Sequence, residues 1–344
     1  MHAHVFTTLK HLSHAGFTSG AAIGAALGVS RATVWQAVRQ LEELGVEVYK
    51  VRRQGYRLAR PYDALDAAAV TRALGAAAAA YAVATVDTCA STNTAILAAD
   101  ELPAPAARVL ATELQTAGRG RRGRGWVSGL GTSLTFSVLR NFGGGMATLS
   151  GLSLAVGLAV ARALEELGAQ GVRLKWPNDL LLALPAAPGP SGDHAKLGGI
   201  LIELAGDALG PTRAVIGIGL NVRLPQEARA RAGQPVADLL DAGLAVARNR
   251  VLAAILRHLH STIDAFDRDG FAALRADWDA RHAYQDREVV LLNDGKVEKT
   301  GVVAGVAADG GLRVRTARGI ETVVSGEVSL RPLESPGAQA SAPV

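Results

Sequence analysis

Apolar and polar positions repeat with helical spacing up to Gly45 and with strand spacing after it. Residues 5–12 and 20–27 each carry apolar side chains on one helical face. Ser30, after the turn GVS, suits the N-cap of a third helix whose apolar stripe runs over residues 34–44. Two alternating runs then flank the turn RRQG, which is typical of a β-hairpin. This order of elements predicts a winged helix-turn-helix.

The pattern changes in the middle of the chain, where helical and strand-like segments mix. The apolar segment 146–169 predicts one long helix, and the runs VRLKW, LGGILIEL and RAVIGIGLNV predict strands. From residue 287 to 331, short alternating runs with turns at NDGK, DGG and ARG predict a small β-barrel. The Pro-, Gly- and Ala-rich segment 184–194 predicts a loop, and we expect the tail 334–344 to be disordered.

The 344 residues are enough for two or three domains, and the segment ARPYDALD marks a linker near residue 62. We therefore predict an α+β multidomain protein. Its expected domains are a winged helix-turn-helix at 1–62, a mixed α/β domain at 63–285, a small β-barrel at 286–333 and the tail at 334–344.

Composition restricts the class of protein. Hydrophobic residues make up 49% of the chain, yet no apolar run of about 20 residues is free of Gly and charge, so we expect no membrane span. The N-terminus lacks the features of a secretory signal. Cys89 is the single cysteine, which excludes a disulfide framework and fits a reducing cytoplasm. We interpret Cys89 as a small buried side chain rather than a nucleophile.

Positive charge is concentrated at the N-terminal end. The first 60 residues hold eight Lys and Arg against three Glu, a surplus of five that equals the +5 of the whole chain. We expect the polar face of the third helix to enter a major groove of DNA, while hairpin arginines meet phosphates. The candidate DNA-contacting residues are Ser30, Arg31, Thr33, Gln36, Arg52, Arg53 and Arg57. An ordinary three-helix packing unit with a solvated hairpin is the alternative.

Residues 118–126, with the sequence GRGRRGRGW, combine four arginines and four glycines with one tryptophan. Glycines let a backbone approach a ligand closely, and arginines offer planar donors to phosphate or carboxylate oxygens. Because strand-compatible runs flank the segment, we interpret it as an anion-binding loop held by a sheet and call it the arginine loop. The chain has no Walker motif, which argues against a P-loop phosphotransferase. A disordered RNA-binding tract is the alternative.

Further polar motifs accompany this loop. The lysine, asparagine and aspartate of KWPND, residues 175–179, suit phosphates and Mg²⁺ at a strand end. Lys196 precedes two glycines, so its ammonium can point into a site, although a solvated lysine is the alternative. Asn221 is the polar tip of GIGLNV, and the triplet STN at 91–93 offers short side chains that bind ligands or cap a helix.

In order and spacing, STN, QTAGRGRRGRGW, KWPNDL, KLGGILIE and GIGLNV resemble the biotin protein ligases. The sequence GEVSLRP resembles the C-terminal barrel of that family, and the N-terminal pattern resembles its bifunctional branch, the biotin operon repressors. The resemblance covers residues 4–332 and implies a class II aminoacyl-tRNA synthetase-like central domain with an SH3-like barrel. It also implies that ATP activates biotin to biotinyl-5′-AMP, which then modifies a lysine of the biotin carboxyl carrier protein of acetyl-CoA carboxylase.

The resemblance further implies roles for individual residues. Lys196 and Arg121 are the implied catalytic residues, with Lys196 on the carboxylate and α-phosphate oxygens and Trp126 over the adenine. The implied biotin-binding residues are Ser91, Thr92, Asn93, Gln115, Arg119, Gly120, Arg121 and Lys196. The implied ATP-binding residues are Arg121, Trp126, Lys175, Asn178 and Asn221. Mg²⁺ has no fixed ligand set and is expected near Asn178 and Asn221.

In this family the adenylate is both intermediate and corepressor, which implies a ligand-promoted homodimer on operator DNA. The segment 184–194 is longer than the turn that usually joins KWPNDL and KLGGIL in the family, and extra residues precede STN. The resemblance therefore does not predict the loop structure at these two places. Three other functions stay open from the sequence. They are a lipoate-type ligase, a small-molecule-sensing transcription regulator without ligase activity, and a general nucleic-acid binder that uses the arginine loop.

Overall fold

The computed structural model describes residues 3–98, 107–127, 129–184, 194–206, 210–293, 296–324 and 328–332. The predicted tail 334–344 and residues 185–193 of the predicted loop lie outside these ranges. The helices, labelled α1 to α9 in chain order, are Val5–Lys10, Gly20–Leu27, Arg31–Glu43, Ala67–Leu74, Thr92–Leu97, Leu152–Glu166, Gln226–Ala230, Arg248–Asp269 and Arg275–Asp279. The strands, labelled β1 to β14, are Val48–Val51, Gly55–Leu58, Tyr81–Cys89, Ala107–Gln115, Ser133–Phe142, Val172–Lys175, Asp179–Ala183, His194–Gly206, Thr212–Asn221, Glu288–Asn293, Lys296–Val306, Leu312–Thr316, Gly319–Val323 and Val328–Pro332.

The N-terminal unit packs α1, α2 and α3 around a small apolar core, and β1 and β2 form an antiparallel hairpin. Ser30 begins α3, since its hydroxyl accepts a hydrogen bond from the Thr33 amide at 3.1 Å. The predicted apolar stripe buries Val34, Val38 and Leu41 completely. The prediction of a winged helix-turn-helix is confirmed.

A seven-stranded sheet forms the central unit, in the order β3-β4-β5-β9-β8-β7-β6. β3 and β4 run parallel, and every other neighbouring pair in this sheet is antiparallel. α4, α6 and α8 build the main apolar core against one face. α5 lies on the opposite face, where Ile96 clusters with Leu110 and Val215.

α6 is shorter than the helix predicted over 146–169. Met146–Leu149 form a separate 3₁₀ turn, and Gly151 at φ +83° precedes the first residue of α6. A Cβ on Gly151 would lie 2.8 Å from the Cβ of Phe271, so the chain needs glycine where it bends past this ring. The stretch Met146–Glu166 is long and apolar enough to cross a membrane, but most of it is buried in the core of this protein.

The C-terminal unit is an antiparallel sheet in the order β13-β12-β11-β10-β14. Its β11–β12 loop contacts the central unit, because the Trp176 indole donates to the Gly310 carbonyl at 3.1 Å and the Ser150 hydroxyl donates to the Asp309 carbonyl at 2.7 Å. Trp176 is buried, so this contact holds the turn that carries KWPND. The predicted fold class, with three successive units of these types, is confirmed.

Buried charges hold the linker between the first two units. The Arg248 side chain is fully buried and donates to Glu113 at 2.7 Å. Glu113 also accepts hydrogen bonds from the Tyr62 hydroxyl at 2.7 Å and the Leu65 amide at 2.6 Å. Burial alone lowers the pKa of Arg248, but the carboxylates and Tyr62 around it outweigh burial and raise the pKa. The domain limit that we propose at residue 62 falls at these contacts between Tyr62, Glu113 and Arg248. The limit that we propose at residue 285 lies between α9 and β10.

His282 lies in a segment that pairs with the end of β6. The Leu174 amide donates to the Arg281 carbonyl and the Ala283 amide donates to the Leu174 carbonyl, both at 2.8 Å. The His282 ring packs on Trp278 with ring centres 4.8 Å apart, and 6% of the residue is exposed. Burial lowers the pKa of His282 to about 3, so the ring is neutral in the folded protein at neutral pH.

We expect His282 to make the free energy of unfolding fall as the pH decreases from about 6.5 towards 3, since only the unfolded chain protonates this ring in that window. The contribution is about 1.4 kcal/mol per pH unit. Urea unfolding of the parent and of His282→Gln between about pH 7 and pH 4.5 measures it. The parent should lose stability more steeply, and parallel curves would contradict the prediction.

Candidate ligand-binding and DNA-binding sites

A cavity of about 830 Å³ lies between the arginine loop, β8, β9 and the turn after β6. Motifs that are far apart in the sequence meet here because β4, β5, β9 and β8 are neighbours in the sheet. The cavity brings together every residue that the resemblance assigns to biotin or ATP, namely Ser91, Thr92, Asn93, Gln115, Arg119, Gly120, Arg121, Trp126, Lys175, Asn178, Lys196 and Asn221. The individual roles of these residues stay predictions.

The arginine loop folds as a tight hairpin. The Gly120 amide donates to the Arg124 carbonyl at 2.7 Å, and the Trp126 amide donates to the Gly118 carbonyl at 2.8 Å. A Cβ on Gly118 would lie 2.4 Å from the Trp126 carbonyl oxygen, so glycine is required there. Arg122 forms the turn at φ +58°. This ordered hairpin beside a cavity argues against the alternative of a disordered RNA-binding tract.

Neutral hydrogen-bonding groups surround one end of the cavity, which we call the polar end. The Gln115 side-chain oxygen accepts from the Thr92 amide at 2.8 Å. The hydroxyls of Thr92 and Ser137 are 2.7 Å apart, and the Ser137 hydroxyl donates to Asn93 Oδ1 at 2.5 Å. Ser91 precedes α5 but its side chain makes no capping hydrogen bond, so helix capping does not account for it. The polar end suits a ligand group that both donates and accepts hydrogen bonds.

Charged side chains surround the opposite end, which we call the cationic end. Lys196 Nζ lies 2.9 Å from Asp179 Oδ1, and both side chains are about three-quarters buried or more. Arg121 Nη1 donates to Asn178 Oδ1 at 3.1 Å. Burial lowers the pKa of Arg121 while the Asp179 carboxylate opposes the shift, and a guanidinium stays charged at neutral pH. Two cations are thus held in a partly dehydrated site by a carboxylate and an amide.

The two asparagines predicted for nucleotide and Mg²⁺ both hold backbone carbonyls. Asn178 Nδ2 donates to the Ile200 carbonyl at 2.8 Å. Asn221 Nδ2 donates to the carbonyls of Lys196 at 3.2 Å and Ala237 at 2.9 Å. Because both amide hydrogens of Asn221 are used, it can contact a ligand only through its oxygen. Within the described ranges, no group of three or more His, Cys, Asp and Glu side chains could hold a metal ion.

Two glycines of β9 make room for two residues of the site. A Cβ on Gly217 would lie 2.3 Å from Asn93 Oδ1. A Cβ on Gly219 would lie 2.5 Å from Trp126 Cε2, so the indole rests directly on the strand backbone. The motif GIGLN therefore shapes the cavity by the side chains that it lacks.

Several residues of the site were not predicted from the sequence. Ser137 comes from β5, Glu203 from β8, and Tyr284 from the segment after α9. Glu203 accepts from Asn93 Nδ2 at 2.7 Å, and the Tyr284 ring lies 6.0 Å from Lys175 Nζ. The run KLGGILIEL contains Glu203 as its lone acid, which is the one sequence signal for it. Ser137 and Tyr284 carry no motif. Ser137 does not line the cavity itself but contacts Thr92 and Asn93, and Tyr284 lines the cavity from the segment after α9.

The predicted DNA face is exposed on α3 and the hairpin tip. Arg31 and Gln36 are exposed on α3, and Arg52 and Arg53 are exposed in the β1–β2 turn. Ser30 and Thr33, the two hydroxyl-bearing residues predicted to contact DNA, lie at the start of α3. Their hydroxyl oxygens are 2.9 Å apart.

Arg57 differs from the other DNA-contacting candidates. Its guanidinium lies 5.0 Å from the Phe17 ring centre and 5.1 Å from that of Tyr49. Its guanidinium therefore also packs the hairpin, and its contact with phosphate stays a prediction.

Three family matches follow the three units. Residues 5–57 match the HTH domain family, and residues 86–221 match the Biotin/lipoate A/B protein ligase family. Residues 286–331 match the Biotin protein ligase C terminal domain. These matches agree with the order of units in the fold.

Named relatives cover most of the chain. The Bifunctional ligase/repressor BirA of Escherichia coli (strain K12) is 34% identical over 324 residues, which are 94% of this chain and 96% of that protein. The Biotin--[acetyl-CoA-carboxylase] ligase of Paracoccus denitrificans is 34% identical over 64% of this chain and 88% of its own. The solved structure of biotin protein ligase from Aquifex aeolicus in complex with biotin and ATP is 30% identical, with a TM-score of 0.59 over 73% of this chain and 99% of that chain.

The fold and the site define a class of protein in which a winged helix-turn-helix is joined to a ligase-type domain with a cation-lined cavity. Within that class, the chain belongs to the biotin protein ligases, in the bifunctional ligase/repressor branch. The resemblance seen in the sequence motifs is confirmed.

We expect Gly219→Ala to push the Trp126 ring away from β9, because the added Cβ would overlap the indole. Acrylamide quenching of tryptophan fluorescence should increase, and Trp126→Phe gives the signal of the other tryptophans to subtract. Gly199→Ala is the matched control, since Gly199 pairs with Gly219 across the strands and its added Cβ would meet atoms no closer than 3.5 Å. Equal quenching in the two alanine variants would contradict the packing of Trp126 on Gly219.

Proposed function

We propose that this protein activates biotin with ATP and transfers it to a lysine of the biotin carboxyl carrier protein of acetyl-CoA carboxylase. The observation that carries the proposal is one cavity with a polar end and a cationic end, joined by the arginine loop. Biotin has a ureido ring that donates and accepts hydrogen bonds, and a carboxylate on a flexible chain. Its two ends therefore match the two ends of the cavity.

At the polar end, the hydroxyl and amide groups around Ser137 receive the ureido ring. The participating residues are Ser91, Thr92, Asn93 and Gln115, and Gly120 brings the loop backbone close. This end separates biotin from lipoate, whose dithiolane ring has no hydrogen-bond donor. Such a ring would form no hydrogen bonds with the polar groups at this end, whereas a ureido ring can both donate to and accept from them. The site thus favours a biotin ligase over the lipoate-type alternative.

At the cationic end, two anions must approach each other. A carboxylate oxygen of biotin attacks the α-phosphorus of ATP, and the bond from that phosphorus to pyrophosphate breaks. Lys196 and Arg121 offset the repulsion and stabilise the charge that develops on the α-phosphate. Because Asp179 and Asn178 already hold them in the cavity, little reorganisation is needed when the reactants bind.

The nucleotide occupies the side of the cavity between Trp126 and the segment after β9. Trp126, seated on Gly219, presents its ring to the adenine, and Lys175 meets the phosphates. Mg²⁺ would lie near Asn178 and Asn221, beside substrate phosphates, since it takes only one or two protein ligands. Bound there, Mg²⁺ would neutralise charge on the departing pyrophosphate.

In the second half-reaction, the lysine amine of the carrier attacks the acyl carbon of biotinyl-5′-AMP, the amine loses a proton and AMP leaves. The arginine loop covers the adenylate until then and limits its hydrolysis. The N-terminal unit supplies the second activity, repression of transcription. We propose that the adenylate is also the corepressor, that it promotes a homodimer on operator DNA, and that the protein works in the cytoplasm.

The direct test mixes the protein with biotin and Mg-ATP and measures pyrophosphate release, followed by transfer of labelled biotin to a carrier domain. Both signals are expected, and Lys196→Ala should remove most of the transfer while the fold is kept. A transcription regulator that only senses a small molecule would release no pyrophosphate. That result would refute the enzymatic function and favour the alternative of a sensor.

We expect Arg121→Gly to form the adenylate but to retain it poorly. The side chain holds the loop to Asn178 and contributes little to the core, so its loss affects retention more than folding. Gel filtration after one turnover measures the adenylate that stays bound, and the unfolding midpoint is the control. Retention equal to that of the parent would remove Arg121 from the adenylate site.

We expect Arg31→Ala with Gln36→Ala to abolish operator binding while biotin transfer is unchanged, because both residues lie on the exposed face of α3, away from the cavity. A gel shift with and without biotin measures binding, and the transfer assay measures ligation. Loss of both activities would show that the two units do not act separately. As a control, Arg57→Lys changes an arginine of the same unit that is packed between rings.

A further inference from the structure

Glu203 joins three parts of the site through one carboxylate oxygen. Its Oε2 accepts from Arg119 Nη2 at 2.9 Å and from Asn93 Nδ2 at 2.7 Å. Arg119 Nη2 also donates to Thr94 Oγ1 at 3.2 Å. The contacts connect β8, α5 and the arginine loop, which are separate in the sequence.

Glu203 lies behind the loop rather than in the biotin cavity. A smaller cavity of about 440 Å³ separates β8 from the loop, lined by Leu201, Glu203 and residues 118–125. Most of the loop residues there also line the main cavity, so the loop forms a wall between the two. Arg121 ties this wall to Asn178 on one side, and Arg119 ties it to Glu203 on the other.

The carboxylate also decides which way the Asn93 amide faces. An ionised carboxylate only accepts hydrogen bonds, so Asn93 must turn its nitrogen towards Glu203. The nitrogen also donates to the Leu201 carbonyl at 3.3 Å, and Oδ1 is left to accept from the Ser137 hydroxyl. Glu203, together with the Leu201 carbonyl, thereby sets the direction of the hydrogen bonds at the polar end.

We propose that Glu203 is a positioning residue that holds the arginine loop closed through Arg119 and fixes the Asn93 amide at the biotin end of the cavity. The part that concerns biotin rests on the proposed function. Glu203 touches residues of the polar end and none of the nucleotide side. Its loss therefore weakens biotin binding most and ATP binding less, because the loop that it holds also carries Arg121 and Trp126.

The expected size of the effect of Glu203→Gln follows from how exposed its ion pair with Arg119 is. The Arg119 and Glu203 side chains are 46% and 33% exposed, so water screens the pair and its contribution is small. We expect Glu203→Gln to raise the KM for biotin about five-fold, equivalent to about 1 kcal/mol, and to raise the KM for ATP by a smaller factor. The unfolding midpoint should stay at the parent value. If the role of Glu203 were purely structural, the midpoint would fall.

A measurement without ligand tests the loop contact separately. Trypsin cuts after the arginines of the loop, and we expect ligand-free Glu203→Gln to be cut there about five times faster than the parent, as followed by mass spectrometry. Glu166→Gln is the matched control, since Glu166 also accepts from an arginine, Arg257, at 2.6 Å but lies outside both cavities. Glu203→Asp, which keeps the charge but shortens the side chain, should also be cut faster than the parent.

The possible results of these experiments distinguish a failure of the role proposed for Glu203 from a failure of the proposed function. If the parent forms no adenylate, the proposed function fails, and the cleavage rates still decide whether Glu203 holds the loop. Cleavage of both Glu203 variants at the parent rate would overturn the loop contact. Faster cleavage with an unchanged KM for biotin would overturn the role at the biotin end, and an equal rise of the KM values for biotin and ATP would do the same.

Discussion

The constraint on which this structure depends is electrostatic: in the reaction that we propose, a carboxylate and a triphosphate meet in one cavity although they repel each other. The protein answers it with cations that are already in place. Lys196 is held by Asp179, Arg121 by Asn178, and Arg119 by Glu203. Each cation thus has a partner on the wall, a carboxylate for Lys196 and Arg119 and a neutral amide for Arg121, so none of the three is left as a bare positive group in the cavity.

The cationic end of the site could be predicted from the sequence because its amino-acid composition alone indicates anion binding. Four arginines among four glycines have few uses other than binding anions, and KWPND follows a strand-like run. The polar end was harder to predict. Ser137 reaches Asn93 only because β5 pairs with β9 and α5 packs over both, which the apolar pattern of a single strand cannot reveal. The fold class was predicted, whereas the break before α6 depends on one ring, Phe271, from a distant segment.

The arginine loop is also connected to the N-terminal unit. Leu114 precedes the loop and Leu130 follows it, and both are buried in the apolar core shared with α1 to α3. The Tyr62 ring lies against Gly131, where a Cβ would be 2.7 Å from it, and its hydroxyl reaches Glu113. The two ends of the arginine loop are therefore anchored in the apolar core of the N-terminal unit, which also carries the predicted DNA face.

This anchoring explains why the loop can be rich in glycine and still hold a defined shape. Its ends are fixed by burial of two leucines, which is worth about 1.5–3 kcal/mol for each fully buried side chain. Its middle is held to the rest of the protein by partly exposed arginine contacts such as Arg119–Glu203, each worth about 1 kcal/mol or less. The ends of the loop are therefore held more strongly than its middle. The hydrophobic contacts with the N-terminal unit thus fix where the loop begins and ends, and the arginine contacts fix how its middle lies against the cavity.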